Sequence, residues 1–249
     1  MCGIGGIYSP SWAVGFPAGM ACDLWTNLSD RGGHACGFAT LENDSKSVQV
    51  HKWEGESFDH EDALYEALNE HSRYVMLHTR FTTQGSTKNM GNNHPITTNR
   101  IVSTHNGVLW NDDDIFDRLG STRFNEVDSE ALNVSLRLMS PKWMIENNEG
   151  SISLAWVDLD EPEIVHLITN GNNPLVIGRL LSGHIVWAST ERHLEESLGD
   201  MLSDSFLAVP FKQYTLNPDG AIRSEFISGF RAKPNAQGYQ RGYRYWREQ

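Results

Sequence analysis

The sequence predicts an α+β fold in which antiparallel strands outnumber the helices and the elements pack as stacked layers. Three observations support this class: short apolar or β-branched runs are frequent, turn signals separate them, and helical periodicity is confined to a few segments. The clearest case is a predicted hairpin, in which Ser151–Val157 and Ile164–Thr169 flank the turn-rich segment 158–162.

The other predicted elements follow from the same two periodicities. Helices are expected where apolar residues recur at helical spacing, at 18–28, 59–71, after Asp128 and at 190–203. Asp59 and Asp128 are expected to cap two of these helices, because a carboxylate accepts hydrogen bonds from the first free N–H groups. The remaining strands are predicted at Cys2–Tyr8, Val48–Trp53, Tyr74–Leu77, Ile101–Thr104, Leu175–Ile177 and Ile185–Ser189, with a turn at 217–220 before the last strand.

Length and composition fit a globular protein of one large domain or two small ones. The chain has 249 residues, of which 39% are hydrophobic and 21% charged, so wholesale disorder is excluded. It contains no apolar run of about 18 residues that could span a membrane, and its N-terminus does not resemble a secretory signal. Three cysteines cannot all pair within one chain, which favours a reduced, cytoplasmic protein.

The net charge of −12 argues against general binding of nucleic-acid backbones, because phosphates need cationic partners. The charge is uneven, since the tail 226–249 carries five Lys or Arg residues, one Glu and six aromatic residues. This basic aromatic tail is predicted to dock a partner or to order against the body, with a final strand and a frayed end as the alternative. Metal-binding spacings such as His-Glu-x-x-His are absent, so neither a metal nor a cofactor is predicted.

Cys2 is the first candidate for chemistry. A small second residue permits removal of Met1, after which Cys2 would carry a thiol and a free α-amine. An α-amine titrates near ~7.7–8.0 and can act as a base at neutral pH, whereas a lysine amine near ~10.4 seldom does. A nucleophile beside its own base is the arrangement of the N-terminal nucleophile hydrolases, although a cysteine at position 2 is more often an ordinary residue.

Three further polar clusters lie at the ends of predicted elements. Arg80 ends the segment 77–80, where a guanidinium can bind a carboxylate or can simply be a surface arginine. Asn106 and Gly107 follow another strand, where an amide and a backbone N–H can stabilise an oxyanion or form a tight turn. Asp128 can face a substrate ammonium as well as cap a helix.

Taken in order, these clusters resemble the motifs of the class II glutamine amidotransferases. The resemblance covers about residues 2–225 and looks like the branch of glucosamine-6-phosphate synthase and amidophosphoribosyltransferase. Segments 150–151, 170–175, 188–190 and 219–220 look like the later half of that domain. The motifs that carry the resemblance are Cys2-Gly3-Ile4-Gly5-Gly6, Arg31-Gly32, His78-Thr79-Arg80, His94-Pro95, His105-Asn106-Gly107 and Val127-Asp128-Ser129-Glu130.

The resemblance implies a four-layered αββα sandwich of the N-terminal nucleophile hydrolase type. It also implies hydrolysis of L-glutamine to glutamate and ammonia through a thioester. The implied roles are Cys2 as nucleophile with its α-amine as base, Asn106 and the Gly107 N–H as oxyanion hole, Arg80 and Asp128 as partners of the α-carboxylate and α-ammonium, Thr83 and His94 as pocket residues, and Arg31 as support for the loop beside the nucleophile.

Three positions depart from the family pattern. His34 stands where the family usually has Asp, Phe81 where this branch often has Trp, and Gln84 where His is common. These changes concern the loop that closes over glutamine and the choice of substrate at its rim. They leave two alternatives open, which are a hydrolase of another γ-glutamyl amide or peptide and a non-catalytic binding module.

Amidotransferases of this class usually carry a synthase domain after the glutaminase domain. Only the tail 226–249 follows the predicted domain in this sequence. We therefore expect the ammonia to pass to a separate acceptor enzyme.

Overall fold

The computed structural model describes residues 1–13, 15–42, 45, 47–98 and 100–227, and contains two antiparallel sheets with helices on their outer faces. The helices are α1 Ala18–Asn27, α2 Glu61–Ala67, α3 Asp112–Leu119, α4 Ser129–Leu138, α5 Pro141–Asn147 and α6 Glu191–Leu198. The strands are β1 Gly3–Tyr8, β2 Ala35–Glu42, β3 Gln49–Glu54, β4 Ser72–Arg80, β5 Ile96–Thr98, β6 Ile101–Leu109, β7 Gly150–Asp158, β8 Val165–Thr169, β9 Val176–Leu180, β10 Ile185–Ala188, β11 Leu202–Leu207, β12 Lys212–Leu216 and β13 Ile222–Phe226.

The first sheet has seven strands in the order β11-β9-β10-β1-β4-β2-β3, and the second has six in the order β13-β12-β8-β7-β6-β5. The N-terminal strand β1 lies in the middle of the first sheet, between β10 and β4. The predicted hairpin is confirmed, because β7 pairs with β8 in the second sheet. Both strands that carry the N-terminal and 77–80 motifs are therefore interior strands of one sheet.

Three hydrophobic cores separate four layers. The first lies between the seven-stranded sheet and α1, α2 and α6, the second between the two sheets, and the third between the six-stranded sheet and α3, α4 and α5. The predicted α+β class and four-layered αββα sandwich are confirmed. Representative buried residues are Trp25, Leu64 and Leu194 in the first core, Tyr74 and Leu167 in the second, and Ile115 and Ile152 in the third.

Two predicted helices are shorter than the sequence pattern suggests. The segment 59–71 begins as a 3₁₀ turn, Ser57–His60, which the Ser57 hydroxyl anchors by donating to the Trp25 carbonyl at 2.8 Å. Asp59 lies inside this turn, so the prediction that it caps α2 is wrong. The segment 190–203 ends its α-helix at Leu198, because Gly199 takes a positive φ of 48° and Leu202 begins an edge strand.

The C-terminal part of the domain ends in β13, and Ile227 packs against the third core. The rest of the predicted basic tail, 228–249, lies outside the described residues. No helix in the described part of the chain is long and apolar enough to cross a membrane.

Candidate active site

The alternation of side chains along strands places two of the candidate residues between the sheets. In β4, Met76 belongs to the inter-sheet core, so Arg80, four residues further, points to the same face. In β1, Ile4 belongs to that core, and the same alternation places Cys2 on the inter-sheet side. Because β1 and β4 are neighbours, with Ile4 opposite His78, the thiol and the guanidinium lie at one end of the sheet.

The second sheet brings Asn106 to the same gap. Val102 of β6 belongs to the inter-sheet core, so Asn106 faces the first sheet. Strand β6 contacts both β1 and β4. A direct bridge joins the sheets here, since the His78 Nε2 atom lies 3.1 Å from the His105 carbonyl oxygen. The site is therefore assembled from both sheets.

Two hydrogen bonds position Cys2, one to its backbone carbonyl and one from its thiol. The Arg31 Nε–H donates to the Cys2 carbonyl at 2.9 Å, and the thiol donates to the Phe81 carbonyl at 3.6 Å. Burial raises the pKa of the Cys2 thiol, while the Phe81 hydrogen bond and the positive charges of the N-terminus and Arg80 oppose the rise. The thiol is therefore neutral near pH 7 and needs a base to become a nucleophile. Met1 is 69% exposed, which leaves it accessible for removal.

Arg80 is buried and fixed by the loop 81–93. Its guanidinium donates to the Asn93 side-chain oxygen at 2.6 Å, to the Gly85 carbonyl at 3.1 Å and to the Gln84 carbonyl. Asn93 in turn donates to the Thr87 carbonyl at 2.8 Å. A guanidinium has five N–H donors, so these bonds orient Arg80 and leave capacity for a ligand carboxylate.

Asp128 sits at the start of α4, but its side chain makes no capping bond, so its predicted capping role is wrong. One carboxylate oxygen instead accepts the Leu109 backbone N–H of β6 at 2.6 Å, and the other accepts the Ser129 hydroxyl at 3.4 Å. The carboxylate is buried, and its charge acts on both Cys2 and Arg80. A buried anion at this place suits an ammonium group.

The Asn106 side chain faces the gap between the sheets, and the Gly107 N–H points to one edge of β6. The Asn106 amide nitrogen is buried and has no hydrogen-bond partner among the described residues. The N–H groups of Gly107 and Leu109 point to the same edge of β6, by backbone alternation, and Leu109 uses its own to bind Asp128. A Cβ at position 107 would collide with the Ser151 carbonyl, so glycine is required here. A buried donor without a partner costs folding free energy. An anion formed in the gap would accept a hydrogen bond from the Asn106 amide and so remove this cost.

Three histidines, His78, His94 and His105, are buried close to these site residues. The rings of His78 and His94 stack at 4.1 Å between centroids, and the His94 and His105 rings lie 6.5 Å apart. Burial lowers the pKa of all three, and that of His78 falls to about 3. The histidines are therefore neutral at physiological pH.

Acid is expected to destabilise the fold through these histidines. Their pKa values are lower in the folded state, so the unfolded chain binds more protons once the pH falls below about 6.5. The stability they contribute is complete above that pH and is lost as the pH falls toward the folded pKa values. At pH 5.5 His78, with a folded pKa of about 3, should by itself cost about 1.4 kcal/mol of unfolding free energy.

Urea denaturation at pH 7.5 and 5.5 measures this loss. The exposed His71, which lies outside the buried histidine stack, provides a control, since His71→Asn measures what loss of a surface imidazole does to the same comparison. An unfolding free energy that is equal at the two pH values would contradict the prediction.

The other predicted site residues, Arg31, His94 and Thr83, differ in how they contact the residues of the inter-sheet gap. Arg31 contacts Cys2 directly, and His94 is buried in the histidine stack. Thr83 is exposed in the loop 81–89, and the contacts found among the described residues do not join it to the other site residues. Sequence reasoning missed the role of Asn93, for which its position beside His94 was the only signal.

Two of the departures from the family pattern anchor the same loop. The His34 Nδ1 atom accepts the Thr82 N–H at 3.0 Å, and its ring packs on Phe81 at 4.9 Å. The Gln84 backbone carbonyl accepts the Arg80 guanidinium, while its side chain is exposed. Residue 34 therefore supports the loop beside Cys2 as an imidazole, and the Gln84 side chain is free to contribute to the rim.

Among the described residues, no group of three or more His, Cys, Asp or Glu side chains could hold a metal ion. A cleft of about 350 Å³ between α3 and α5 is lined by polar residues such as Asp114 and Asn147. None of the candidate residues lines this cleft, which therefore lies apart from the inter-sheet gap.

Comparison with known proteins gives partial matches at the sequence level. No family model matches the chain. The 7-cyano-7-deazaguanine synthases of Saccharolobus solfataricus and Sulfolobus acidocaldarius are 29% and 27% identical over 150 residues. That stretch is 57% of this chain and 32% of each relative, so the match spans about a third of the length of either relative.

Solved structures match much more of the chain. A glutamine phosphoribosylpyrophosphate amidotransferase from B. subtilis superposes with a TM-score of 0.73 at 19% identity, over 92% of this chain and 50% of that one. A class II glutamine aminotransferase domain protein from Silicibacter pomeroyi superposes with a TM-score of 0.57 at 11% identity, over 92% of this chain and 100% of that one. The chain therefore has the fold of the class II glutamine amidotransferase domains, an N-terminal nucleophile hydrolase fold.

Proposed function

We propose that the protein is a glutaminase of the class II amidotransferase type, which hydrolyses L-glutamine to glutamate and ammonia through a Cys2 thioester. The observation that carries the proposal is the gap between the sheets. Cys2, the buried cation Arg80 and the unpaired amide of Asn106 converge there from three strands. Glutamine is a zwitterion with a neutral amide, so its hydrolysis needs a nucleophile, both charges and an electrophile-polarising donor.

Substrate recognition follows from the two buried charges. Arg80 binds the α-carboxylate and Asp128 the α-ammonium, which aims the side-chain amide of glutamine at Cys2. Thr83 and His94 complete the pocket wall, and Arg31 holds the nucleophile by its carbonyl. The neutral state of His94 suits this position, because a second cation there would compete for the substrate carboxylate.

The reaction proceeds in two half-steps once Met1 has been removed. The α-amine of Cys2 accepts the thiol proton while the sulfur attacks the amide carbon, and the resulting oxyanion is bound by the Asn106 amide and the Gly107 N–H. The α-ammonium then protonates the leaving nitrogen, which departs as ammonia and leaves a γ-glutamyl thioester. Water, deprotonated by the same amine, adds to the thioester carbon, and collapse releases glutamate and restores the thiol.

We further propose that the ammonia serves a separate acceptor enzyme. The two sequence relatives are named as 7-cyano-7-deazaguanine synthases, whose product carries a nitrile nitrogen. An acceptor that installs nitrogen on a purine-like ring is therefore the first class to test. Direct contact with nucleic acid is not required of this domain, in keeping with its acidic charge.

The test is release of glutamate and ammonia from a panel of amides by the purified protein, with the N-terminus verified by mass spectrometry. L-glutamine should be hydrolysed with the highest kcat/KM, and L-asparagine should not be hydrolysed. Preference for a γ-glutamyl alkylamide or peptide would support the alternative hydrolase, which the exposed rim residues Thr83 and Gln84 motivate. Mature protein that cleaves no member of the panel would contradict the proposal.

A further inference from the structure

A side chain outside the predicted site touches the peptide that carries one oxyanion donor. The Asn173 side-chain nitrogen donates to the Asn106 carbonyl oxygen at 2.9 Å. That carbonyl belongs to the same peptide unit as the Gly107 N–H, which points the opposite way, toward the edge of β6 where Leu109 binds Asp128. Asn173 therefore binds one end of a peptide whose other end faces the reacting carbonyl in the proposed reaction.

Asn173 is itself fixed from two strands. Its backbone carbonyl accepts the hydroxyl of Ser153 at 2.8 Å and the hydroxyl of Thr169 at 2.8 Å. Ser153 and Thr169 are both buried, and they pair with each other across β7 and β8. Ser153 is also the cross-strand partner of Asn106. The four residues form a closed circuit, so the amide of Asn173 has little freedom to leave the Asn106 carbonyl.

We infer that Asn173 is a positioning residue of the oxyanion hole, an assignment that rests on the proposed glutaminase function. Its amide holds the plane of the Asn106–Gly107 peptide and polarises it, because a hydrogen bond to a carbonyl strengthens the N–H donor of the same peptide. The effect matters only when negative charge develops on the substrate oxygen. Asn173 therefore lowers the barrier of the chemical step and contributes little to binding of glutamine.

The test compares Asn173→Ala with Asn172→Ala in full-length mature protein. Asn172 is a matched control, since its side-chain amide donates to the Gly150 carbonyl at 2.9 Å from the same turn but does not touch Asn106. Asn173→Ala should lower kcat for L-glutamine about tenfold, less than the ~10²–10³-fold expected for a direct donor. Its KM and its inhibition constant for the product L-glutamate should stay within about twofold of the wild-type values.

Asn173→Asp is the second variant, because it keeps the size of the side chain and removes its donors. It should lower kcat at least as much, with a thermal midpoint close to that of Asn172→Ala. Equal kcat losses in Asn172→Ala and Asn173→Ala, an unchanged kcat in Asn173→Ala, or a KM that rises in parallel would each overturn the inference. A wild-type protein that releases no ammonia from glutamine would instead overturn the proposed function, and the inference with it.

Discussion

Replacement of Cys2 by alanine is expected to abolish hydrolysis of glutamine, with a loss on the order of 10⁴-fold or more in kcat. The variant keeps the α-amine and the oxyanion donors but has no atom that can form the thioester. Protein that retains Met1 should be equally inactive, because the nitrogen of Cys2 is then an amide and cannot act as a base. Ammonia release measured on both proteins, with their masses verified, tests the prediction.

Cys22→Ala is the matched control for this experiment. Cys22 is a buried thiol of the first core, and its sulfur lies 3.8 Å from the Glu61 carbonyl, away from the inter-sheet gap. The variant should hydrolyse glutamine at the wild-type rate. A trapped thioester that maps to Cys22 or to Cys36, the other free and buried cysteine, would show that the nucleophile has been misassigned, as would full turnover by Cys2→Ala.

Replacement of Asn106 by alanine is expected to lower kcat by about 10²–10³-fold, equivalent to about 2.7–4 kcal/mol of transition-state stabilisation. The physical reason is the unpaired state of its amide in the free protein. The donor is already buried and oriented, so it binds the oxyanion without displacing a partner. Its removal should leave KM nearly unchanged, because the ground-state amide of glutamine carries little negative charge.

The control is Asn69→Ala, which removes an exposed side-chain amide. Asn69 lies just before the first residue of β4, whereas Arg80 is the last residue of that strand. It should leave both kcat and KM at wild-type values. The thermal midpoint of Asn106→Ala should not fall below that of the wild type, since the amide has no partner among the described residues to lose. A large rise in KM with an intact kcat would place Asn106 in substrate binding instead.

The sequence predicted several of the buried strands but missed the buried interior strand β2. The apolar run of β4 and the hairpin β7–β8 were visible because their periodicity reports burial directly. The helices α3 and α5 were missed although their end signals were present. Three consecutive aspartates begin α3, and Ser140 caps α5 by accepting the Trp143 N–H at 3.1 Å. Both helices are short, which weakens their periodicity.

The candidate site was predictable in its residue types but not in its contacts. Cys2 was singled out because it would carry both a thiol and a free α-amine, and Arg80 and Asn106 because each ends or follows a predicted strand. Strand β4 does end at Arg80, but the prediction that Asn106 and Gly107 follow their strand is wrong, because β6 continues through both to Leu109. The hydrogen bond from the Leu109 N–H of β6 to Asp128 was not predictable. An aspartate before a helix gives the same sequence signal whether its carboxylate caps the helix or binds a neighbouring strand. The roles of Asn93 and Asn173 depend on loops that return from 13 and 67 residues away along the chain.

The central position of β1 sets an order of events during synthesis. Gly5 pairs with Leu77 on one side and with Ala188 on the other, so one edge of this strand has no partner until the ribosome has made β10. At about 5–20 residues per second, the growing chain spends roughly 10–40 s in that state. The first residues are therefore accessible to an aminopeptidase before the sheet closes around them. Slower translation lengthens this interval, and Met1 stays accessible afterwards because it is 69% exposed in the folded chain.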